Sequence, residues 1–398
     1  MRKKELTFCL FHNISITLLK KADSLNDYIC RMLKQLVFTI IGLLCWIQAE
    51  AQVSYLGRPD LLEKVEYCLH YTYGFSFEEA RNIQSELRSS TPDHPAPLFL
   101  EALIIYWENF PLALSTEASS QFISLMDQCT DLSKELREDT MTYTEGVFFD
   151  LFGRAFKAMF WADNGKSGKV IPDLGNMYRY TKKGFNLKEE FTEFYFSTGL
   201  YNYYIEAYPE AHPAYKPLVA FMHKGDRELG LKQLNHAISY TVFLKVEATL
   251  FMSLIQLNYE KDLNSAAIYA ERLVKDYPGN ILYRGHMINI LLHQHRYDLV
   301  KILLEEGTQQ QDPYSEMIRT FAGAFLAEKE SGDLNLARSA YMETIEFAES
   351  FGPFADIYGA MAYMGLSRLH AKEGLHQDAE EFKRKASRLT TYDFILDE

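Results

Sequence analysis

A small residue recurs in the second helix of successive helical hairpins, and this recurrence constrains the fold more than any other feature of the chain. In KDLNSAAIYAERLVKDYP, Ala266 is followed by Ala270, Leu273 and, twelve residues on, Pro278. HRYDLVKILL places Tyr297, Val300 and Leu304 in the same order, SGDLNLARSAYMET supplies Gly332, Ala337 and Tyr341, and EGLHQDAEEFKRKA supplies Gly374, Ala379 and Ala386. The marker positions 266, 300, 337 and 379 are separated by 34, 37 and 42 residues, a period that signals repeated two-helix units. Where two helices cross closely, each needs a small residue. One hairpin alone buries only half of its apolar surface, so neighbouring hairpins must stack.

These offsets resemble the tetratricopeptide (TPR) repeat, in which helix A and helix B form one antiparallel unit. The N-terminal half follows more loosely: GFSFEEARNIQSELRSSTPDHP places Ala80, Gln84, Leu87 and Pro92 at the marker offsets, and Pro97 to Trp107 begins the next helix A. Longer helical patterns run through Glu117 to Arg137, Met141 to Trp161, Ile171 to Phe185 and Glu189 to Ala207. Alternating β-branched runs bounded by Asn-Gly or Gly-Gly turns are absent. The expected fold is therefore all-α, a right-handed superhelical TPR-like solenoid of about eight helical hairpins. The organisation reads as an extended N-terminus over 1–31, a signal peptide over 32–51, divergent TPR-like repeats over 52–240 and TPR repeats over 241–398. Pro209, Pro213 and Pro217 predict a non-helical excursion between two helices of one unit.

The flanks of that excursion, GLYNYYIEAYP and GDRELGLKQLNHA, resemble the signature of the inclusion-body-clearance (Iml-type) TPR family. That family carries G-L-F-x-x-x-x-S-x-x-P followed by G-D-R-x-x-G-L-x-x-L. Gly225, Asp226, Arg227, Gly230, Leu231 and Leu234 match, while Tyr201 stands where the family has Phe. The resemblance implies a helical-repeat fold and a non-enzymatic interaction role. The block also has a physical reading of its own: Gly225 permits a left-handed helix stop, Asp226 caps the next helix, Gly230 allows a close crossing, and Arg227 pairs with a carboxylate in the preceding insertion.

Residues 32–51 read MLKQLVFTIIGLLCWIQAEA, a basic residue, an apolar run from Leu36 to Ile47 and a small-residue site at Ala49-Glu50-Ala51. This is the pattern of a secretory signal cut before Gln52, and the run falls short of the roughly 20 residues a bilayer span needs. A lipid-modified Cys45 is disfavoured because Leu43-Leu44 precede it, where a small residue is wanted. The expectation is export, to a periplasmic or secreted location as in bacterial TPR proteins, with no stable transmembrane segment after processing. Of the cysteines, only Cys68 and Cys129 survive cleavage, either as one bridge or as two buried thiols. The chain carries a formal charge of −13, and the segment removed is net basic, so the mature protein is more acidic still. That balance excludes nucleic acid as a partner.

No chemical constellation emerges. GKSGK at Gly165 to Lys169 lacks a phosphate-loop glycine, since Phe160 occupies its place and no strand precedes it. His286 and His293 share a helical face but have no acid or thiol to complete a metal site, and Asp93-His94 reads as a turn between prolines. The expectation is no enzyme, no cofactor and no metal. In TPR units the concave groove is lined by helix A positions, here Asn258, Tyr259, Asn289, His293, Arg319, Lys329, Arg368 and Lys372. A basic, amide-rich inner surface on an acidic protein suits an anionic or C-terminal peptide. The chaperone-type carboxylate clamp is excluded, because Ile255 and Gly323 stand where it has Asn and Arg. The expected function is a non-catalytic scaffold for protein–protein interaction in the cell envelope. The alternative is a glycan- or small-ligand-binding helical receptor of the outer membrane, motivated by Tyr201, Tyr203, Tyr204, Tyr208 and Tyr215.

Overall fold

The computed structural model describes residues 54–213, 216–220, 222–306 and 312–397. The segment 32–51 read as a signal peptide lies outside the described residues, as does Tyr215. Sixteen helices of ten residues or more and no strand are present among the described residues. They form eight consecutive hairpins: α1 (Pro59–Tyr73) with α2 (Phe77–Ser90), α3 (Pro95–Glu108) with α4 (Glu117–Leu136), α5 (Tyr143–Asp163) with α6 (Ile171–Leu187), and α7 (Phe194–Ala211) with α8 (Arg227–Tyr240). The stack continues with α9 (Lys245–Asn258) and α10 (Leu263–Asp276), α11 (Ile281–His293) and α12 (Tyr297–Glu306), α13 (Pro313–Leu326) and α14 (Leu334–Phe351), and α15 (Asp356–Lys372) and α16 (His376–Leu389). This is a TPR-like helical-repeat solenoid. Each helix packs on its neighbours in sequence, and odd-numbered helices also touch one another, as α1 on α3 and α13 on α15.

Side-chain caps explain several of the starts. The carboxylates of Asp226, Asp262, Asp312 and Asp333 each accept a backbone N–H from the first turn of the helix that follows, and Asn280 does the same with its amide oxygen. The two helices of a hairpin differ in how they are used. In α3 every residue from Pro95 to Trp107 except Glu101 is buried, so this helix lies inside. In α10 only Ala266, Ala267, Ala270 and Leu273 are buried, a single stripe, which makes it an outer-layer helix. The markers Ala266, Val300 and Ala337 are fully buried and Ala379 nearly so.

The stack curves until its beginning meets its middle. Trp107 of α3 lies edge-on to Tyr283 of α11 at 6.0 Å, and Phe110 lies 5.4 Å from Tyr314 and 6.0 Å from Phe354. Asn280 Nδ2 donates to the Tyr73 carbonyl at 3.1 Å, and the Tyr73 hydroxyl donates to Glu247 of α9. An aromatic seam thus fills part of the inner face expected to stand open, because the summed rotation of successive hairpins brings helix A faces together. The core also runs without a break across position 240, from Tyr55 to Tyr283, so the divergent and regular repeats are segments of one unit.

Two local expectations are corrected. Helix α7 continues through Pro209 and stops after Ala211, since a proline in the last turn removes only one late N–H bond. Gly225 does not adopt a left-handed conformation. It is small because a Cβ there would lie 2.0 Å from Ile205 Cγ2 and 2.4 Å from the Asn202 carbonyl oxygen.

Candidate functional site

The C-terminal ends of α9, α11, α13 and α15 carry most of the residues read as groove-lining. Asn258 and Tyr259 close α9 and are half-buried. Asn289 of α11 is buried, and His293, one turn later, shares a 2.7 Å hydrogen bond between its Nδ1 and the Asn289 carbonyl. The His293 ring packs against Phe325 of α13 at 5.8 Å. Arg319 stands apart: it pairs with Glu316 on its own helix at 2.5 Å.

The remaining three gather round a residue that the sequence reading missed. Glu328 lies in the π-helical turn Ala327–Ser331 that extends α13, and its side chain is fully enclosed. Arg368 Nη2 donates to Glu328 Oε2 at 2.8 Å and Arg368 Nε to Oε1 at 3.0 Å. Tyr341 Oη of α14 donates to Oε2 at 2.8 Å, and the half-exposed Lys372 Nζ lies 3.5 Å from Oε1. Lys329 Nζ sits 5.5 Å from the centre of the Phe325 ring. Burial alone would push the Glu328 carboxyl up, but the hydrogen bonds and charge of Arg368, with Tyr341, hold it below the ordinary carboxylate value. Arg368 is therefore engaged in the protein's own packing. The signal was present in the sequence: Glu328 follows buried Phe325 by one helical turn, on a face that is otherwise apolar.

The chain's own C-terminal segment lies across this surface. The turn Asp393–Leu396 packs on α9, α15 and α16. Lys261 Nζ, just beyond α9, meets Asp393 Oδ2 at 2.8 Å. The Phe394 ring stands 5.3 Å from that of His293 and Ile395 is buried; burial raises the phenol pKa values of Tyr204 and Tyr259, and the neighbouring Tyr392 adds to it.

The tyrosine-rich helix α7 spends most of its rings on packing. Tyr203 is fully buried and donates to Glu260 at 2.6 Å, Tyr204 meets Tyr259 edge-on at 5.4 Å, and Tyr201 donates to the His223 carbonyl at 2.8 Å. Arg227 finds Glu260 at 2.9 Å and, in α7 before the excursion, Glu210 at 3.3 Å. Asp226 Oδ1 accepts the Leu229 N–H at 2.9 Å, as read from the sequence.

Buried acid and histidine groups elsewhere serve as helix anchors. Glu145 Oε2 accepts from His94 Nε2 at 2.8 Å, and the same carboxylate accepts from Ser54 Oγ and the Tyr55 and Leu56 N–H groups. His94 Nδ1 accepts the Ala96 N–H, so the imidazole is neutral and its proton sits on Nε2. Glu193 likewise accepts three consecutive N–H groups, from Val242, Phe243 and Leu244, ahead of α9. His286 Nε2 bonds to Ser253 Oγ at 2.8 Å, and burial lowers its pKa to about 4. Cys68 and Cys129 are free and buried, and burial pushes the Cys68 thiol up to about 12. GKSGK occupies the connection between α5 and α6. No group of three His, Cys, Asp or Glu side chains able to hold a metal ion occurs among the described residues. No helix among them is long and apolar enough to cross a membrane.

No protein-family model matches the chain, and no curated protein matches it. Among solved structures, a monomeric mutant of IFIT1 with Gppp-AAAA is similar at 13% identity and a TM-score of 0.34, over 81% of this chain and 80% of that one. The human IFIT1 dimer with PPP-AAAA is similar at 12% identity and a TM-score of 0.33, over 85% of this chain and 96% of that one. At these scores the likeness says nothing of ligand, and the fold assignment rests on the eight hairpins themselves.

Proposed function

We propose that the chain is an exported, non-catalytic helical-repeat scaffold of the cell envelope that binds a protein or peptide partner along the C-terminal ends of α9, α11, α13 and α15. The observation that carries this reading is the docked turn Asp393–Leu396, with Asp393 on Lys261 and Phe394 on His293. A surface that accepts an acidic and aromatic segment of the same chain has the chemistry to accept one from a partner. Lys261 and Lys372 leave positive charge exposed beside it. The non-catalytic character is supported by the buried titratable groups, which serve as helix anchors, and by the resemblance of the Gly225 to Leu234 block to the inclusion-body-clearance TPR family. Export is supported by the sequence of residues 32–51 alone.

A fluorescent peptide copying Thr390 to Glu398, titrated by anisotropy against the full chain and its Phe394→Ala variant, tests the reading. The variant loosens the intramolecular competitor, so it should bind the peptide about tenfold more tightly than the unmodified chain, and Lys261→Glu should reverse the gain. A folded Phe394→Ala protein that ignores the peptide sinks the proposal. Export is tested separately by mass spectrometry of the envelope fraction, where the mature chain should begin at Gln52.

A further inference from the structure

Between α5, α6, α7 and α9 lies a cavity of about 580 Å³, within the range of roughly 300–1,000 Å³ usual for small-molecule sites. Its wall is apolar, with Phe152 and Met159 from α5, Met177 from α6, Leu200 from α7 and Phe251 from α9. Glu247 brings the one carboxyl among the lining residues, and no Lys, Arg or His contributes to the wall. Glu247 accepts the Tyr73 hydroxyl on Oε1, while Oε2 is enclosed and has no hydrogen-bond partner. A buried carboxyl oxygen left without a donor costs about 1–3 kcal/mol, more when charged. Glu247 contributes to the cavity wall, and a rotation about its terminal torsion, which is broad in a glutamate, is what would bring the enclosed Oε2 to the cavity.

The sign of this wall selects the ligand. A fatty acid would bring a second carboxylate to Glu247 with no cation to separate the two, and a wholly apolar molecule would leave Oε2 as it is. A protonated amine supplies the missing donor and the opposite charge in one group. We propose that the cavity binds an amphiphilic primary amine, its aliphatic or aromatic body against Phe152, Met159, Met177, Leu200 and Phe251 and its ammonium hydrogen-bonded to Glu247 Oε2. The inference does not depend on the docking ridge proposed above, although Tyr204 of the cavity wall meets Tyr259 of that ridge.

The test is calorimetric titration of the full chain at pH 7.5 with decylamine, decanol and decanoate, each kept below its aggregation concentration. Decylamine should bind at least tenfold more tightly than decanol, with decanoate weakest. Glu247→Gln, an isostere that keeps an acceptor for Tyr73, should lower decylamine affinity about tenfold and leave decanol unchanged. Met159→Trp, which fills the cavity without touching the carboxyl, should abolish binding of all three. The inference is overturned if decanoate equals decylamine, if folded Glu247→Gln binds decylamine as before, or if none of the probes binds.

Discussion

Arg368 grips Glu328 with two nitrogens, Nη2 at 2.8 Å from Oε2 and Nε at 3.0 Å from Oε1, and the carboxylate is wholly enclosed. The pair joins α15 to the end of α13, and the Tyr341 hydroxyl brings in α14. Three helices of the last two hairpins thus meet at one enclosed carboxylate. A guanidinium held in this way is structural first, so its removal acts on stability before it acts on any partner.

Replacing Arg368 by Ala leaves the Glu328 charge enclosed, with Tyr341 and the more distant Lys372 and Lys329 to answer it. Breaking a buried pair from one side costs about 3–5 kcal/mol, whereas replacing both members with apolar residues of similar size is often near neutral. Urea denaturation should therefore show a large loss for Arg368→Ala and a much smaller one for Arg368→Leu combined with Glu328→Leu. Equal losses in the two proteins would remove the ion-pair account.

Gly230 makes a sharper steric prediction. A Cβ at this position would lie 2.7 Å from the Tyr203 nitrogen and 2.9 Å from the Gly199 carbonyl oxygen, both backbone atoms of α7 that cannot swing aside. Gly230→Ala should therefore force α8 away from α7 and cost about 1–3 kcal/mol, although alanine is the better helix former. A thermal midpoint that stays level or rises would show that the crossing is looser than the structure has it.

The hairpins were legible because each one announces itself locally. Ala266, Val300 and Ala337 had to be small or compact where helices cross, and Asp226, Asp262 and Asp333 had to accept N–H groups where helices start. What periodicity could not convey is how the stack closes on itself. Trp107 and Tyr283 are 176 positions apart, and their meeting depends on small rotations summed over several hairpins, which no single repeat encodes. Nothing within Pro97 to Trp107 itself signals that its aromatic residues meet a later repeat. The same limit explains Arg368: a cation on helix A looks like a ligand until the acid it faces, 40 positions earlier, is placed beside it. The cavity walled by Glu247 has the same origin, since its lining comes from four helices spread over three hairpins.

Glu145 ties the first described residues to α5. Its carboxylate takes the Ser54 hydroxyl at 2.6 Å and the Tyr55 and Leu56 N–H groups at 3.1 and 2.7 Å, with His94 Nε2 on the other side. In Glu145→Ala those donors and the His94 N–H lose their acceptor inside the protein, at about 1–3 kcal/mol for each group left unsatisfied. Hydrogen exchange should show loss of protection at Tyr55 and Leu56 well before the α3 core opens, whereas Glu145→Gln, which keeps one oxygen acceptor, should lose less. Unchanged protection in Glu145→Ala would mean that the N-terminal segment is held by the Tyr55 ring against His94 instead.

Glu247 gives a pH dependence whose sign is fixed by burial. Desolvation is the largest influence on its carboxyl and lifts it from an ordinary 4.5 to about 7, with the Tyr73 hydrogen bond pulling the other way. Between pH 4.5 and 7 the folded protein therefore holds a proton that the unfolded chain has released. Stability must fall as pH rises through this window and level off above it, by an amount on the order of 3 kcal/mol for this group. The groups facing it do not confuse the reading. Burial carries the Tyr73 and Tyr283 phenols well above their ordinary value and Tyr277 upward as well, out of the window. Glu193, also raised to about 7, chiefly by burial and further by the Glu247 charge, loses that repulsion in Glu247→Gln, which adds to the gain at high pH in the same direction. Glu247→Gln has no proton to lose, so its stability relative to the unmodified chain should be near zero at pH 4.5 and should grow to a net gain of a few kcal/mol at pH 8. Denaturation curves at half-unit steps measure that difference directly, and a difference that does not vary with pH would mean that the Glu247 carboxyl is solvated rather than enclosed.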